Sequence, residues 1–329
     1  VLEEYTDRYR PLQRSIFKDP GYDFNDDRIV VAGLGVVLPG AATVDAFWER
    51  LTEGQSVVSQ IPETRFHNRY YAMEEDPDYH LPMVKAGMVE DFKLNHVKYR
   101  IPPTTARSVD RAQLFALDAA SQAIEQANLA PQLSFGNKTA VILGTISGDK
   151  YVENVMRTRI PFIEKVVSET AGISDPTLNT ISGKLSELLK QRYIENTEDT
   201  IPGLLSNIVS ARVSKHFGCN AANFVVDASC ASATIAIDLA VKGLKSGDYE
   251  YVITGGADAN LYPGVMLAFK RLSLLAEGES RFFDEKAQGY IMGEGAALQV
   301  VTTYWQLVFA QQDILARRKS EEVAAELLR

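Results

Sequence analysis

Apolar positions along the chain fall into short continuous runs, separated by longer stretches in which they recur at helical spacing. The first run, residues 29–34, reads as a buried strand running into Gly33 and Gly35. Thr43 then offers a helix N-cap, and Phe47, Trp48 and Leu51 give that helix an apolar face. Residues 54–104 are irregular, with Pro62, Pro82, Pro102 and Pro103 as breakers. Residues 105–128 are alanine-rich, with Leu114, Leu117 and Ile124 at helical spacing. Strands are predicted over 140–143, 223–227, 251–254 and 296–301, and helices over 204–217 and 230–244. A charged, mostly helical stretch at 150–200 reads as an insertion or cap. Strands alternating with helices predict an α/β fold with a largely parallel sheet.

The two ends differ from this pattern. Residues 1–27 are polar and aromatic and read as a linker or docking segment. From Gln312 onward Ile314, Leu315, Val323, Ala324 and Leu327 predict a charged amphipathic helix, so 302–329 is read as a tail distinct from the domain at 28–301.

Composition narrows the function classes. The chain has 329 residues, 46% of them apolar and 23% charged, as in an ordinary globular domain. A net charge of −9 without a basic tract argues against a nucleic-acid partner. No apolar run reaches the roughly 18 residues of a membrane span, and the N-terminus lacks the features of a signal peptide. Two cysteines make no disulfide framework and fit a reducing, cytoplasmic setting. Because the sequence begins with Val1, it is expected to be a piece of something longer.

The sharpest chemical feature is the run 223–233, Asn-Phe-Val-Val-Asp-Ala-Ser-Cys-Ala-Ser-Ala. An apolar strand breaks into small residues, and a helix begins at Cys230. A thiol at a helix N-terminus meets the dipole and free backbone amides, which favour the thiolate. A strand–nucleophile–helix turn is a recurring way to present a catalytic side chain. An isolated cysteine is more often a small buried hydrophobe, and Cys219, after Gly218, is read that way. The helix after Cys230 is apolar nearly all round, so it is expected to be sandwiched between two layers.

Val226-Asp-Ala-Ser-Cys-Ala-Ser-Ala233 resembles the nucleophile motif of β-ketoacyl synthases, and further segments resemble that family in the right order. They are 29–35 with Asp45-Ala-Phe-Trp48, then Ile61-Pro-Glu-Thr-Arg-Phe66, then Asp110 with Gln113 and Leu114. After the cysteine come Gly255-Gly-Ala-Asp258, Ser280-Arg-Phe-Phe-Asp284 and Gly289-Tyr-Ile-Met-Gly-Glu-Gly295. The 150–200 segment and Pro202-Gly-Leu-Leu205 resemble most the condensing domains of iterative multidomain synthases, such as polyunsaturated-fatty-acid and related polyketide systems.

The resemblance implies the N-terminal half of a thiolase-like fold, in which two similar α/β halves stack around a buried nucleophile helix. It implies that Cys230 takes an acyl group from the phosphopantetheine of an acyl carrier protein, and that a malonyl-type extender loses carbon dioxide and attacks the acyl-Cys230. The Cys230 backbone amide would donate to the oxyanion. No cofactor or metal is expected to bind directly. Asp284 and Glu294 are candidates to anchor loops near the site through charged hydrogen bonds, with Arg281 as a partner to one of them. The alternative is two solvated loop carboxylates and a surface arginine. Gly255, Gly256, Gly293 and Gly295 are expected to serve backbone geometry. Gly33 and Gly35 do not make a dinucleotide loop, because no third glycine has the spacing.

The sequence departs from the family in several respects: the family's motif lysine and phenylalanine-glycine loop are not found, only 99 residues follow Cys230, and the tail does not resemble ketosynthase sequence. The four histidines, His67, His80, His96 and His216, all precede Cys230, and none lies in the family's two histidine motifs. A complete condensing reaction by this chain alone is therefore not expected. Three readings stay open: a condensing acyltransferase, paired as a homodimer or with a complementing half; an inactive fragment or partner subunit; and a cysteine hydrolase with His216 as base.

Overall fold

The computed structural model describes residues 28–66, 75–76, 78–81, 85–128, 138–146, 148–171, 176–193, 195–276, 278–279, 281 and 284–304, with 307–308, 311, 314–315 and 318–319 of the tail. The segment 1–27, His67, Pro82, Ser280, Phe282, Phe283 and most of the tail lie outside the described residues.

The core is a five-stranded sheet of order β1-β7-β6-β4-β5. Its strands are β1 (Ile29–Val37), β4 (Thr139–Gly144), β5 (Asn223–Val226), β6 (Tyr251–Asp258) and β7 (Gly295–Thr303). A separate two-stranded ribbon pairs β2 (Ser59–Gln60) with β3 (Lys85–Ala86). β4 pairs parallel with both β5 and β6, whereas β7 runs antiparallel to both β6 and β1. The expectation of a largely parallel sheet is corrected to a mixed one. β6 and β7 are joined without a helical crossover that returns the chain to the other end of the sheet, so β7 comes back antiparallel.

The helices are α1 (Val44–Glu53), α2 (His96–Tyr99), α3 (Pro103–Ser108), α4 (Arg111–Gln126), α5 (Asp149–Ala171), α6 (Pro176–Arg192), α7 (Thr200–Leu204), α8 (Ile208–Phe217), α9 (Ser232–Ser246) and α10 (Pro263–Arg271). Central-strand side chains alternate between two layers, as the period of two requires. Val141, Leu143 and Ile253 pack with α4 and α8, whereas Ala140, Ile142 and Val252 pack with α9. A third cluster, including Ile61, Phe66, Leu81, Met266, Leu275 and Met292, organises the irregular 54–104 segment against α10.

Two sequence expectations change at the periphery. The 105–128 helix is two helices, because Asp110 breaks the run and caps the second by accepting from the Ala112 N–H at 2.9 Å. Helix α1 forms as expected: Thr43 caps its start, and Gly54 closes it at φ 66°. Its apolar face, however, stays out of the core, with Trp48 64% exposed and no residue buried. The reason is position: β1 is an edge strand covered on the α4 face only, and Val31 and Leu34 on its other face are exposed too.

Candidate active site

The cysteine turn is built at the carboxyl end of β5. Ser229–Ala231 forms a single 3-10 turn that leads into α9, with Cys230 at its centre and exposed. Ser229, the residue before Cys230, is held at φ 53°, a conformation that costs a non-glycine residue about 1 kcal/mol. Local hydrogen bonds hold it there. The Asp227 carboxylate accepts from the Ser229 N–H at 3.2 Å. The Ser232 hydroxyl accepts from the Ala228 N–H at 2.8 Å and donates to the Ser229 carbonyl at 2.6 Å. Ser229→Gly is expected to raise stability by about 0.5–1 kcal/mol, seen as a higher denaturant midpoint at unchanged slope. An unchanged or lower midpoint would show that the turn is unstrained.

Helix α9 sits unusually close to the sheet. Gly144 on β4 and Gly256 on β6 are register partners, and together they make a seat for Ala233. A Cβ on Gly144 would lie 2.4 Å from the Ala233 nitrogen, and one on Gly256 would lie 2.9 Å from the Ala233 Cβ. The other predicted glycines divide. Gly255 and Gly295 hold φ of 136° and 152°, while a Cβ on Gly293 would meet nothing closer than 3.5 Å. The sandwiched-helix expectation is corrected. In this chain α9 buries only one stripe, Ser232, Ala236, Ala240, Gly243 and Leu244, and Ile235 on its far side is 37% exposed. Among the described residues a single layer, the sheet, lies against it.

Cys230 opens into a cavity of about 650 Å³ between the ends of β4 and β6 and the segment before β7. Ligand sites of α/β sheets gather at the carboxyl ends of parallel strands, and this one does so. Val265, Phe269, Tyr290 and Met292 give it an apolar wall. The Phe269 and Tyr290 rings meet edge to face at 5.9 Å. Burial raises the Tyr290 phenol, and the charge of a Cys230 thiolate pushes it the same way.

Behind the cavity lies a charged cluster. Glu294, with a fully buried side chain, accepts from Arg65 at 2.9 Å, from Arg111 at 2.8 Å and from the Val89 N–H at 3.0 Å. Burial works against the Arg65 cation, but its hydrogen bond to Glu294 and the Glu294 charge outweigh that and raise its pKa. Asp110, at the start of α4, is pushed up to about 7, chiefly by burial and then by the Asp149 charge. A carboxyl raised in the fold binds its proton more tightly when folded than when unfolded. Its contribution to stability is therefore complete below about pH 4 and is lost as pH rises through about 7. Asp110→Asn keeps the Oδ1 cap and removes the charge. We expect it to exceed wild type by about 2 kcal/mol at pH 8, and to match it near pH 4, in denaturant titrations at the two pH values.

The remaining sequence candidates sit elsewhere. Asp284 is exposed, and its carboxylate accepts from the Lys286 N–H at 2.8 Å, capping its own turn. Arg281 is exposed and has no ion pair among the described residues. Its expected pairing is corrected, because Arg65 and Arg111 already occupy Glu294 and Asp284 faces solvent. Cys219 is buried, and burial pushes its thiol up to about 12. His216 packs its ring against Tyr99 and Phe217 in the α4/α8 layer, across the sheet from α9, so it cannot serve Cys230 as a base. Sequence reasoning missed Arg65 and Arg111 as the partners of Glu294. It also missed that Asn260 lines the cavity, because only the fold brings these segments together. No group of three or more His, Cys, Asp and Glu among the described residues could hold a metal ion. None of their helices is long and apolar enough to cross a membrane.

Comparison with known proteins agrees with this geometry. The sequence model described as β-ketoacyl synthase, N-terminal domain, matches residues 26–306. A polyunsaturated fatty acid synthase polypeptide from Thraustochytrium sp. is 26% identical over 294 residues, covering 88% of this chain and 10% of its own length. The 6-methylsalicylic acid synthase of Penicillium expansum is 26% identical over 311 residues, covering 92% of this chain and 15% of its own. The chain thus spans between a tenth and a sixth of these relatives. Among solved structures, the ketosynthase from module 6 of the bacillaene synthase of Bacillus subtilis superposes with a TM-score of 0.62 at 20% identity, over 87% of this chain and 41% of the other. A cysteine turn at the carboxyl edge of a mixed sheet, the thiolase-like fold of a solved ketosynthase and a family match over most of the chain lead to one conclusion: this chain belongs to the β-ketoacyl synthase family, as the cysteine-bearing N-terminal domain of a ketosynthase of the kind found in multidomain fatty-acid and polyketide synthases.

Proposed function

We propose that Cys230 accepts the acyl group carried by the phosphopantetheine of an acyl carrier protein, in the cytosol, as the first half of a decarboxylative condensation. The supporting observation is the exposed thiol at the head of α9, opening into a largely apolar cavity. The Cys230 thiolate attacks the thioester carbonyl, the Cys230 N–H donates to the oxygen as it becomes negative, the carbon–sulfur bond to pantetheine breaks, and the pantetheine thiolate that leaves takes up the proton that the Cys230 thiol had released to solvent. Asp284 and Arg281, out in solvent, have no part in this. Glu294 acts by fixing the segment before β7 that closes the cavity. In the second half, a malonyl-type extender on a carrier protein loses carbon dioxide, and its carbanion attacks the acyl-Cys230 carbonyl. Among the described residues no histidine lines the cavity. The groups that promote decarboxylation therefore come from a second half, in another segment or a partner chain, which packs over the open stripe of α9.

The test is to incubate the chain with acyl- and malonyl-carrier protein, digest it, and map adducts by mass spectrometry while trapping carbon dioxide. Acyl mass is expected on the peptide containing Cys230 and not on that containing Cys219. Acylation without carbon dioxide release would place the second step with a complementing half. No adduct at Cys230 would overturn the acyl-acceptor reading and leave the domain a scaffold.

A further inference from the structure

The turn that carries Cys230 holds a residue that its backbone does not favour. Ser229 sits at φ 53°, in the left-handed region that glycine enters without strain. Strain kept at a functional position points to a use for the side chain that brings it. What serine adds over glycine is a hydroxyl, and its Oγ lies 3.9 Å from the Cys230 sulfur. Both residues line the cavity. Two other hydroxyls that line it are committed elsewhere: Ser232 donates to the Ser229 carbonyl at 2.6 Å, and Thr145 donates to the Ile146 carbonyl at 3.4 Å. Among the described residues, the sulfur is the one partner of the Ser229 hydroxyl. The other titratable groups lining the cavity are Asp258, Glu294 and Tyr290, with Asp227 in the turn itself. No lysine, arginine or histidine lines it among the described residues, so neutral donors have to hold a thiolate there.

We propose that Ser229 is a positioning residue for Cys230: its hydroxyl donates to the sulfur and steadies the thiolate before it attacks the thioester. The proposal rests on the reading of Cys230 as acyl acceptor, and it adds a group that acts through that sulfur. A neutral thiol is a weak acceptor, which suits the long contact. An anionic sulfur accepts more strongly and draws the donor closer. The Asp227 carboxylate on the Ser229 N–H, and the Ser232 hydroxyl between the Ala228 N–H and the Ser229 carbonyl, keep the turn in the conformation that aims the hydroxyl. The Cys230 N–H is left for the thioester oxygen. Glycine at this position gives a less strained turn and a sulfur that has lost its donor.

The experiment alkylates Cys230 with iodoacetamide, whose iodide the thiolate displaces as the new carbon–sulfur bond forms. The full chain is compared with Ser229→Ala, which removes the hydroxyl alone, and with Ser229→Gly, which removes the hydroxyl and the strain together. Rates are read by mass on the peptide containing Cys230, at pH 6 and at pH 10. A net hydrogen bond shifts the balance between thiol and thiolate by about fourfold. A thiolate that loses the bond also becomes more nucleophilic, by about the square root of that factor. Both variants are therefore expected to react about twofold more slowly than wild type at pH 6, where an ordinary thiol is mostly protonated, and about twofold faster at pH 10, where it is mostly ionised. Titration of Asp227, Asp258, Glu294 and Tyr290 is common to the three proteins and cancels in the ratios. Rates that change in the same direction at both pH values, or do not change, would overturn the proposal, because altered packing or access produces no reversal. So would an effect confined to Ser229→Gly, which would mark release of strain. Acylation of wild type by an acyl-carrier-protein thioester is followed in parallel. Its absence alongside the reversal sinks the acyl-acceptor reading and leaves the pairing of Ser229 with Cys230 standing.

Discussion

Glu294→Ala is expected to destabilise the fold by about 3 kcal/mol, the low end of the range for removing one partner of a buried ion pair. The Glu294 side chain is fully buried, and one carboxylate serves two guanidinium groups and the Val89 N–H. Truncation leaves all three donors without their acceptor. Arg65 and Arg111 side chains retain 23% and 25% exposure, so they recover part of their hydration, which is why the low end applies. Glu294→Gln keeps the shape and an acceptor for Val89 but loses the charge, and about half the penalty is expected. Guanidinium denaturation of the three proteins measures this. Equal stability of Glu294→Ala and wild type would mean that the cluster contributes nothing net. A solvated loop carboxylate, the bland reading of this residue, predicts that result.

Gly144→Val is the second large effect, and here the two local preferences disagree in a useful way. Valine suits a strand better than glycine does, so propensity alone predicts stabilisation. Its Cβ, however, would lie 2.4 Å from the Ala233 nitrogen and 2.5 Å from the Ser232 carbonyl carbon. Those are backbone atoms at the start of α9, and they cannot swing aside. Helix α9 has to lift from the sheet, at about 3 kcal/mol for forced overpacking. Cys230 moves with it. A displacement near 1 Å can cost about a hundredfold in rate, so acylation is expected to fall by one to two orders of magnitude. Gly256→Ala is the graded control, because its new methyl meets the Ala233 side chain at 2.9 Å and backbone no nearer than the Gly144 oxygen at 3.4 Å, and about 1 kcal/mol is expected. Denaturant midpoints, together with single-turnover acylation rates, test both. Full stability of Gly144→Val would show that α9 is not seated as described.

These two substitutions mark the boundary of what sequence reading reaches. Glu294 was visible as a candidate because it lies in a segment resembling a family motif. Its partners were not, because Arg65 and Arg111 lie 229 and 183 residues away in sequence. Gly144 directly follows the strand expected over 140–143. Its role as a seat depends on its register with Gly256 across the β4–β6 pair. Arg281 and Asp284 show the reverse error: adjacency in a recognisable motif suggested a shared role, and the fold turns both toward solvent.

From the residues alone came the positions of the main strands and helices, the junction that presents Cys230, and the ordered motifs that carry the family. All are local, since periodicity, capping and turn chemistry act over a few residues. The direction of β7, the idle apolar face of α1, the one-sided burial of α9 and the Arg65–Glu294–Arg111 cluster were decided only by the tertiary structure. Each depends on which distant segment arrives alongside. Hydrophobic pattern states that a face seeks cover, and only the assembled fold determines whether cover is there.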